Sequence, residues 1–324
     1  MCTYNGARFL PEQLASIAAQ TRLPDEMVVC DDGSTDTTLE ILEKFSQTVP
    51  FPVRIVRNPA NLGSTKNFEQ AMRLCTGDLI ALSDQDDIWL PQKLAVQSSV
   101  LERDPSIGGV FTDAELIDAS SSRIGAKLWS SISFTAKDQA FFQRGQEVRV
   151  LLQRNVVTGA TLMLRASLLG EFLPIPEYWV HDRWLAWMLV LQSHLMMHKS
   201  PLIHYRLHQA QQIGIEALAP GRNASFWQRL VTGRRVEPAR QRAHVVEIYS
   251  LAKRIESLTG PKSENARINI QRKINLYAIR ADYSLPKIQR TLMLLGNLRS
   301  YYLFETGIRC FVRDITMSFV KTDA

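Results

Sequence analysis

The segment Leu79-Ile-Ala-Leu-Ser-Asp-Gln-Asp-Asp-Ile-Trp89 delivers Asp84, Asp86 and Asp87 into one turn at the end of a short apolar run. Carboxylates this close repel and raise one another's pKa unless a cation sits among them, and hard divalent ions prefer oxygen ligands. An Asp-x-Asp spacing suits Mg²⁺ or Mn²⁺ held by one or two carboxylates, with positions left open for diphosphate oxygens. Such an ion would neutralise charge developing on a diphosphate leaving group. The reading that asks for no chemistry is a solvated acidic turn capping the next helix. A second acidic pair, Asp31-Asp32, precedes Gly33-Ser34. Its carboxylates suit ribose hydroxyls or a base imide, and Gly33 permits a ligand to approach closely. A turn and cap would account for Gly33 and Ser34 but not for two adjacent acids. Neither G-x-G-x-x-G nor G-x-x-x-x-G-K occurs, so dinucleotide and P-loop modes are unsupported.

Both acidic stretches follow apolar runs and precede helical patterns. Glu26 to Cys30 predicts a buried strand, and Thr37-Thr38-Leu39-Glu40 predicts a capping box that starts the next helix. Val53 to Val56 predicts a strand, Asn67 to Cys75 a helix, Leu79 to Leu82 a strand, and Pro91 onward a helix. Further strands are expected at Gly109 to Thr112, Thr161 to Leu164 and Met196 to Leu207. Helices are expected at Gln139 to Leu152 and Arg183 to Gln192. This alternation predicts an α/β fold with a mostly parallel sheet, helices on both faces, and ligands bound beyond the carboxyl ends of the strands. From Pro220 the texture changes to long basic helices, with one stripe at Val245, Ile248, Ala252 and Ile255 and another at Leu285, Ile288, Leu292 and Leu295. A third runs through Tyr301, Phe304, Ile308, Phe311, Ile315 and Phe319. Two regions are expected, 1–215 and a helical extension, 216–324.

The 324 residues are 45% hydrophobic and 22% charged, which excludes disordered and collagen-like classes. Cys2, Cys30, Cys75 and Cys310 form no CxxC pair, so neither a disulfide framework nor a zinc knuckle is indicated, and a reducing cytoplasm fits. The stretch Trp184 to Met197 falls short of a transmembrane helix. The net charge of +6 is unevenly spread: residues 221–324 hold 19 Lys and Arg against 8 Asp and Glu, and the remainder is net acidic. A basic tail points to an anionic surface, and an acidic cleft to a metal with a phosphate-bearing small molecule. His194-x-x-x-His198 and His204-x-x-x-His208 invite a zinc reading, which the strand-like pattern and the lack of HExxH reject.

Seven motifs in consistent order over residues 1–215 carry a resemblance. They are Thr3-Tyr4-Asn5-Gly6, Asp31-Asp32-Gly33-Ser34-Thr35-Asp36, Asn58-x-x-Asn61-x-Gly63, Ser83-Asp84-Gln85-Asp86-Asp87-Ile88-Trp89, Thr158-Gly159-Ala160-Thr161, His181-Asp182-Arg183-Trp184 and Tyr205-Arg206-x-His208. Together they resemble the inverting, GT-A-fold glycosyltransferases of family 2, especially the bacterial rhamnosyltransferase-like branch. The resemblance implies a nucleoside-diphosphate sugar donor, Mg²⁺ or Mn²⁺, and direct displacement at the anomeric carbon. It implies Thr3, Tyr4, Asn5, Asp31, Asp32, Asn61, Lys66, Asp84 and Gln85 at the nucleotide sugar, and Asp84, Asp86, Asp87 and His208 as candidate metal ligands. Thr158, Gly159 and Trp184 fall on the acceptor side. Asp182 matches the base that takes the acceptor hydroxyl's proton, a task requiring a carboxylate opposite the diphosphate; as a helix N-cap it would need no such role.

The family's leading strand normally precedes Thr3, so a sheet lacking that strand is expected. The branch points to thymidine-diphosphate-linked rhamnose and to a cell-surface glycan or lipid-linked acceptor. The protein is expected in the cytoplasm, with Ser300 to Phe319 as a basic amphipathic contact with the membrane's inner face. A nucleotidyltransferase and a nucleic-acid-binding protein acting through the basic tail are the rival classes; no nucleic-acid partner is expected.

Overall fold

Strand β1 (Cys2–Thr3) leads into helix α1 (Leu10–Ala18), and β2 (Met27–Asp31) follows. All five residues of β2 are buried, as expected of an apolar run covered on both faces. Helix α2 (Thr38–Ser46), strand β3 (Val53–Arg57) and helix α3 (Ser64–Leu74) complete the first layer. The strands form a sheet in the order β1-β2-β3, parallel throughout, with Cys2 opposite Cys30 and Thr3 opposite Asp31. Before Tyr4 the sheet has the two-residue strand Cys2–Thr3, paired with β2. The expected Thr37–Glu40 capping box is corrected. Thr37 makes no side-chain cap, and the Asp36 carboxylate instead accepts from the Thr38 amide at 3.0 Å.

Next come β4 (Leu79–Ala81), β5 (Ile88–Trp89), α4 (Lys93–Arg103), β6 (Ile107–Ile117) and β7 (Arg123–Lys127). Helices α5 (Leu128–Ser131), α6 (Ala136–Gln143) and α7 (Glu147–Leu151) replace the single helix expected at 139–152; Gly145, at φ 70°, lies in the break. A 3₁₀ turn at Gly159–Thr161 precedes β8 (Met163–Arg165), then α8 (Leu169–Phe172), α9 (His181–Gln192) and β9 (His194–Arg206). The second sheet has the order β4-β8-β6-β9-β5, with β7 also on β6. Only its β6–β9 pair is parallel. The mostly parallel expectation therefore holds for the first sheet, and the second is mixed. Period-two patterning cannot tell the direction of a neighbouring strand.

The second sheet's core explains two features of the sequence. The scattered aromatics of residues 129–142 cluster on β6, with Phe111 against Trp129, Phe134 and Phe142 at centroid distances of 5.6, 6.1 and 5.6 Å. The apolar stretch from Trp184 is the buried helix α9, apolar on nearly every side because it is covered on nearly every side. Among the described residues no helix is long and apolar enough to cross a membrane.

The computed structural model describes residues 1–208, 238–258, 261–281, 286–304, 310–312 and 314–315. It divides into two compact units. Residues 145–155 belong with the C-terminal helices and not with the sheets; the expected boundary at 215 lies outside the described residues. The second unit contains α10 (Pro238–Glu256), α11 (Pro261–Ala281), α12 (Lys287–Gly296) and α13 (Leu298–Phe304). Ile248 and Ile255 are buried as their stripe predicts. Much of the expected 300–319 helix lies outside the described residues, and the part that is described corrects the membrane expectation. Tyr301 and Phe311 are buried against Leu276, Ile279 and Leu294, so they pack the unit's own core.

Candidate active site

The loops after β1 and β2 are bound to each other. Asp31 is fully buried, and its carboxylate accepts from Thr3 Oγ1 (2.9 Å), Ser34 Oγ (2.5 Å), the Ser34 amide (2.9 Å) and the Gly33 amide (3.2 Å). Asn5 takes a left-handed backbone (φ 47°); its amide donates to Ser34 Oγ and its side-chain carbonyl accepts from the Thr35 amide. Asp32 accepts from Asn58 Nδ2 and the Leu62 amide, both at 2.8 Å, and from the Gly63 amide at 2.9 Å. Asn61 braces the same turn through the Asp32 carbonyl and the Gly63 amide. Thr3, Asn5, Asp31 and Asn61, expected at the nucleotide, are thus occupied in shaping its loops, and Asp32 keeps little free acceptor capacity.

Tyr4 is different. Its side chain is half exposed, while its backbone amide and carbonyl are both held by the Gln85 side chain, at 2.8 and 3.1 Å. Gln85 therefore serves as a strap between the Tyr4 loop and the acidic turn, with neither amide atom aimed at a ligand. Gly6 lies against it, and a Cβ there would collide with Gln85 Oε1.

In the acidic turn the three carboxylates have separate fates. Asp87 is buried, one oxygen accepting from the Arg206 amide at 3.0 Å and the other without a partner among the described residues. Burial, with Asp86 and Asp84 adding to it, pushes its pKa well up. Asp86 meets His208 Nε2 at 2.8 Å, bringing together two predicted ligands 122 residues apart. Asp84 is pushed up to about 7, by burial first and then by the charges of Asp86 and Asp182.

Asp182 lies in the first turn of α9, whose N-cap is Val180, so it does not cap the helix. Its carboxylate accepts from the Gly159 amide at 3.2 Å. Gly159 is needed there because a Cβ would stand 2.7 Å from His181 Nε2. His181 is buried, stacks on Phe68 at 4.0 Å, and has no partner on either ring nitrogen among the described residues. Burial lowers its pKa to about 3 and keeps it neutral. The Thr158 carbonyl accepts from Thr161.

Lys66 and Trp184 both make internal contacts. Lys66 bonds Glu69 (2.9 Å) and the Ile175 carbonyl (2.8 Å), clamping the segment before α9. Trp184 is buried, donates to the Phe172 carbonyl at 2.7 Å and packs on Trp179, so it belongs to the core and not to an acceptor surface. Arg206 ends β9, two residues before His208.

Asp86 and His208 meet, and Asp84, raised by burial first and then by the charges of Asp86 and Asp182, lies in the same turn; two carboxylates and an imidazole of this kind suit a divalent cation. Among the described residues no three His, Cys, Asp or Glu enclose a metal by themselves. An open set of this kind fits Mg²⁺ or Mn²⁺ completing its shell with diphosphate and water.

A parallel three-stranded sheet joined to a mixed one, with an acidic turn and a facing carboxylate beyond the strand ends, defines the GT-A class. Solved structures agree in fold. One is Staphylococcus aureus TarS 1-349 in complex with UDP-GlcNAc (TM-score 0.60, 14% identity, covering 98% of this chain and 88% of that one). Another is the Pyrobaculum calidifontis mannosyltransferase PcManGT in complex with GDP-Man and Mn²⁺ (0.53, 18%, covering 98% and 82%). The sequence model of glycosyl transferase family 2 matches residues 1–164. The chain belongs to this family and is a glycosyltransferase. Among curated relatives, the dTDP-rhamnosyl transferase RfbG of Shigella flexneri is 39% identical over 98 residues, 29% of this chain and 34% of that protein. A glycosyltransferase of Nostoc, alr2836, is 31% identical over 121 residues, 37% of each. The matched stretch thus spans about a third of the length of these two relatives.

Proposed function

We propose that the protein transfers a hexosyl unit from a nucleoside-diphosphate sugar to an acceptor hydroxyl by single displacement with inversion. The observation that supports this is that Asp182 is held by the Gly159 amide, three residues before Leu162, whose carbonyl accepts from the Leu82 amide two residues before Asp84, so that a base candidate and the acidic turn are carried by neighbouring segments. Asp182 accepts the acceptor's hydroxyl proton as that oxygen bonds to the anomeric carbon, and the bond from that carbon to the diphosphate oxygen breaks with its electron pair leaving on the diphosphate. The Gly159 amide holds the carboxylate at this task. Asp84, Asp86 and His208 would hold the divalent cation, which would offset charge on the departing diphosphate. The Tyr4 side chain, half exposed, contacts the base.

The donor favoured is thymidine-diphosphate-linked rhamnose, supported by the motif resemblance and the partial match to RfbG, and the acceptor a cell-surface glycan or its lipid-linked precursor. The enzyme works in the cytoplasm, touching the membrane's inner face. For that contact α12 is a better candidate than 300–319, since Ile288, Leu292 and Leu295, on successive turns, are 75%, 62% and 47% exposed. Calorimetry of nucleoside diphosphates and their sugars with Mn²⁺ should give metal-dependent binding; none with any of them would overturn the reading. Flotation with anionic liposomes should weaken when Ile288, Leu292 and Leu295 are changed to Ser, and unchanged flotation would remove the membrane contact.

A further inference from the structure

Arg206 has none of its side chain exposed. Its guanidinium donates to four acceptors on three segments: Nε to the Asp86 carbonyl at 2.6 Å, Nη1 to Ser121 Oγ at 2.8 Å and the Asp118 carbonyl at 3.3 Å, and Nη2 to Glu12 at 2.8 Å. Its backbone amide donates to Asp87. Phe9 lies under the guanidinium at 4.8 Å and against the His208 ring at 4.6 Å, so one aromatic ring supports both residues. Ser121, held left-handed at φ 65° in the turn after β6, also donates to Glu12 at 2.6 Å, closing a ring of bonds around the cation. A buried guanidinium needs several acceptors in one plane, and a planar fork holds them in fixed directions as an ammonium cannot.

We infer that Arg206 is a positioning residue for the divalent cation: anchored on Glu12 and Ser121, it fixes the Asp86 backbone so that the Asp86 carboxylate and His208 meet at the metal. This rests on the proposed metal-diphosphate role of that pair. Partners that orient metal ligands without touching the metal commonly change metal affinity by about 10–100-fold when removed.

The test titrates UDP, GDP and thymidine diphosphate into the full chain, with Mn²⁺ varied and with EDTA, and measures turnover of the sugar donor of whichever nucleotide binds. In Arg206→Lys, Mn²⁺-dependent nucleotide affinity should fall by about tenfold and be regained at higher Mn²⁺. Metal-free nucleotide binding should be unchanged, and KM for donor should rise more than kcat falls. Ser121→Ala and Glu12→Gln, which loosen the same brace from its far side and stand in if Arg206→Lys does not fold, should shift the Mn²⁺ requirement in the same direction by less. A folded Arg206→Lys with wild-type Mn²⁺ dependence would overturn the inference. So would equal losses with and without metal, or unchanged Mn²⁺ dependence in both substitute variants should Arg206→Lys not fold. Wild-type protein that binds nucleotide with no response to Mn²⁺ would overturn the reading of the site itself, and the inference with it.

Discussion

The two acidic loops at the strand ends look alike in sequence and behave in opposite ways. Asp31 and Asp32 receive seven hydrogen bonds from the protein's own amides, hydroxyls and a side-chain amide. Among the described residues Asp84 has none of these, and its pKa is raised to about 7. A carboxylate whose acceptor capacity is filled by local donors is scaffold. One left among other carboxylates, short of donors, is suited to a cation.

The sharpest break of that contrast concerns the carboxylate facing the cluster. Asp182→Asn should lower turnover by about 10²–10⁴-fold while donor binding persists, measured by single-turnover assay and calorimetry. Loss of donor binding instead would return Asp182 to the scaffold class. Asp31→Ala should destabilise by about 3 kcal/mol in denaturant titration, because Thr3, Ser34 and the Gly33 amide lose a buried acceptor. Asp84→Asn should have the opposite sign, stabilising EDTA-treated protein by roughly 1–2 kcal/mol at pH 8. The sign follows from linkage. A folded-state pKa above the unfolded value means that the ionised form opposes folding, a cost absent near pH 4 that grows as pH rises through about 7. The stabilisation should therefore be smaller at pH 5 than at pH 8, and an equal gain at both would contradict it.

The smallest effect is expected at Glu69, a scaffold carboxylate by the same criterion. Burial opposes its ionisation, but Lys66, Arg73 and the Ile175 amide outweigh it and lower its pKa. Its stabilisation is present above the unfolded value near 4.5 and lost as pH falls through the depressed folded value. With Lys66 and Arg73 about half exposed, Glu69→Gln should cost under about 1 kcal/mol at neutral pH and flatten the acid limb of a thermal-melt series.

The order of strands and helices was legible because buried runs and amphipathic stripes have distinct periods. Strand direction was not, and the antiparallel β4–β8 and β6–β8 pairs left no trace in the pattern. At the site, residue type pointed to the right loops but could not say which way a carboxylate faces. Asp87 turned inward because it lies next to Arg206 of a strand more than a hundred residues later. Trp184 sits within a recognised motif and Lys66 three residues beyond one, and their tertiary partners, the Phe172 and Ile175 carbonyls, are not legible in either stretch.

The excursion of residues 145–155 away from the sheets has a practical consequence. Val148, Val150, Leu151 and Leu152 are buried within the helical unit, where Gln153 donates to the Leu303 carbonyl and Lys273 to that of Leu152. A truncation after the last strand would strip those four side chains of their cover and place a sticky loop in the middle of the transferase. Trimming such an enzyme to a minimal version requires two cuts and a graft: removal of the helices and replacement of residues 145–155 by a short polar turn. A single stop codon should yield aggregates.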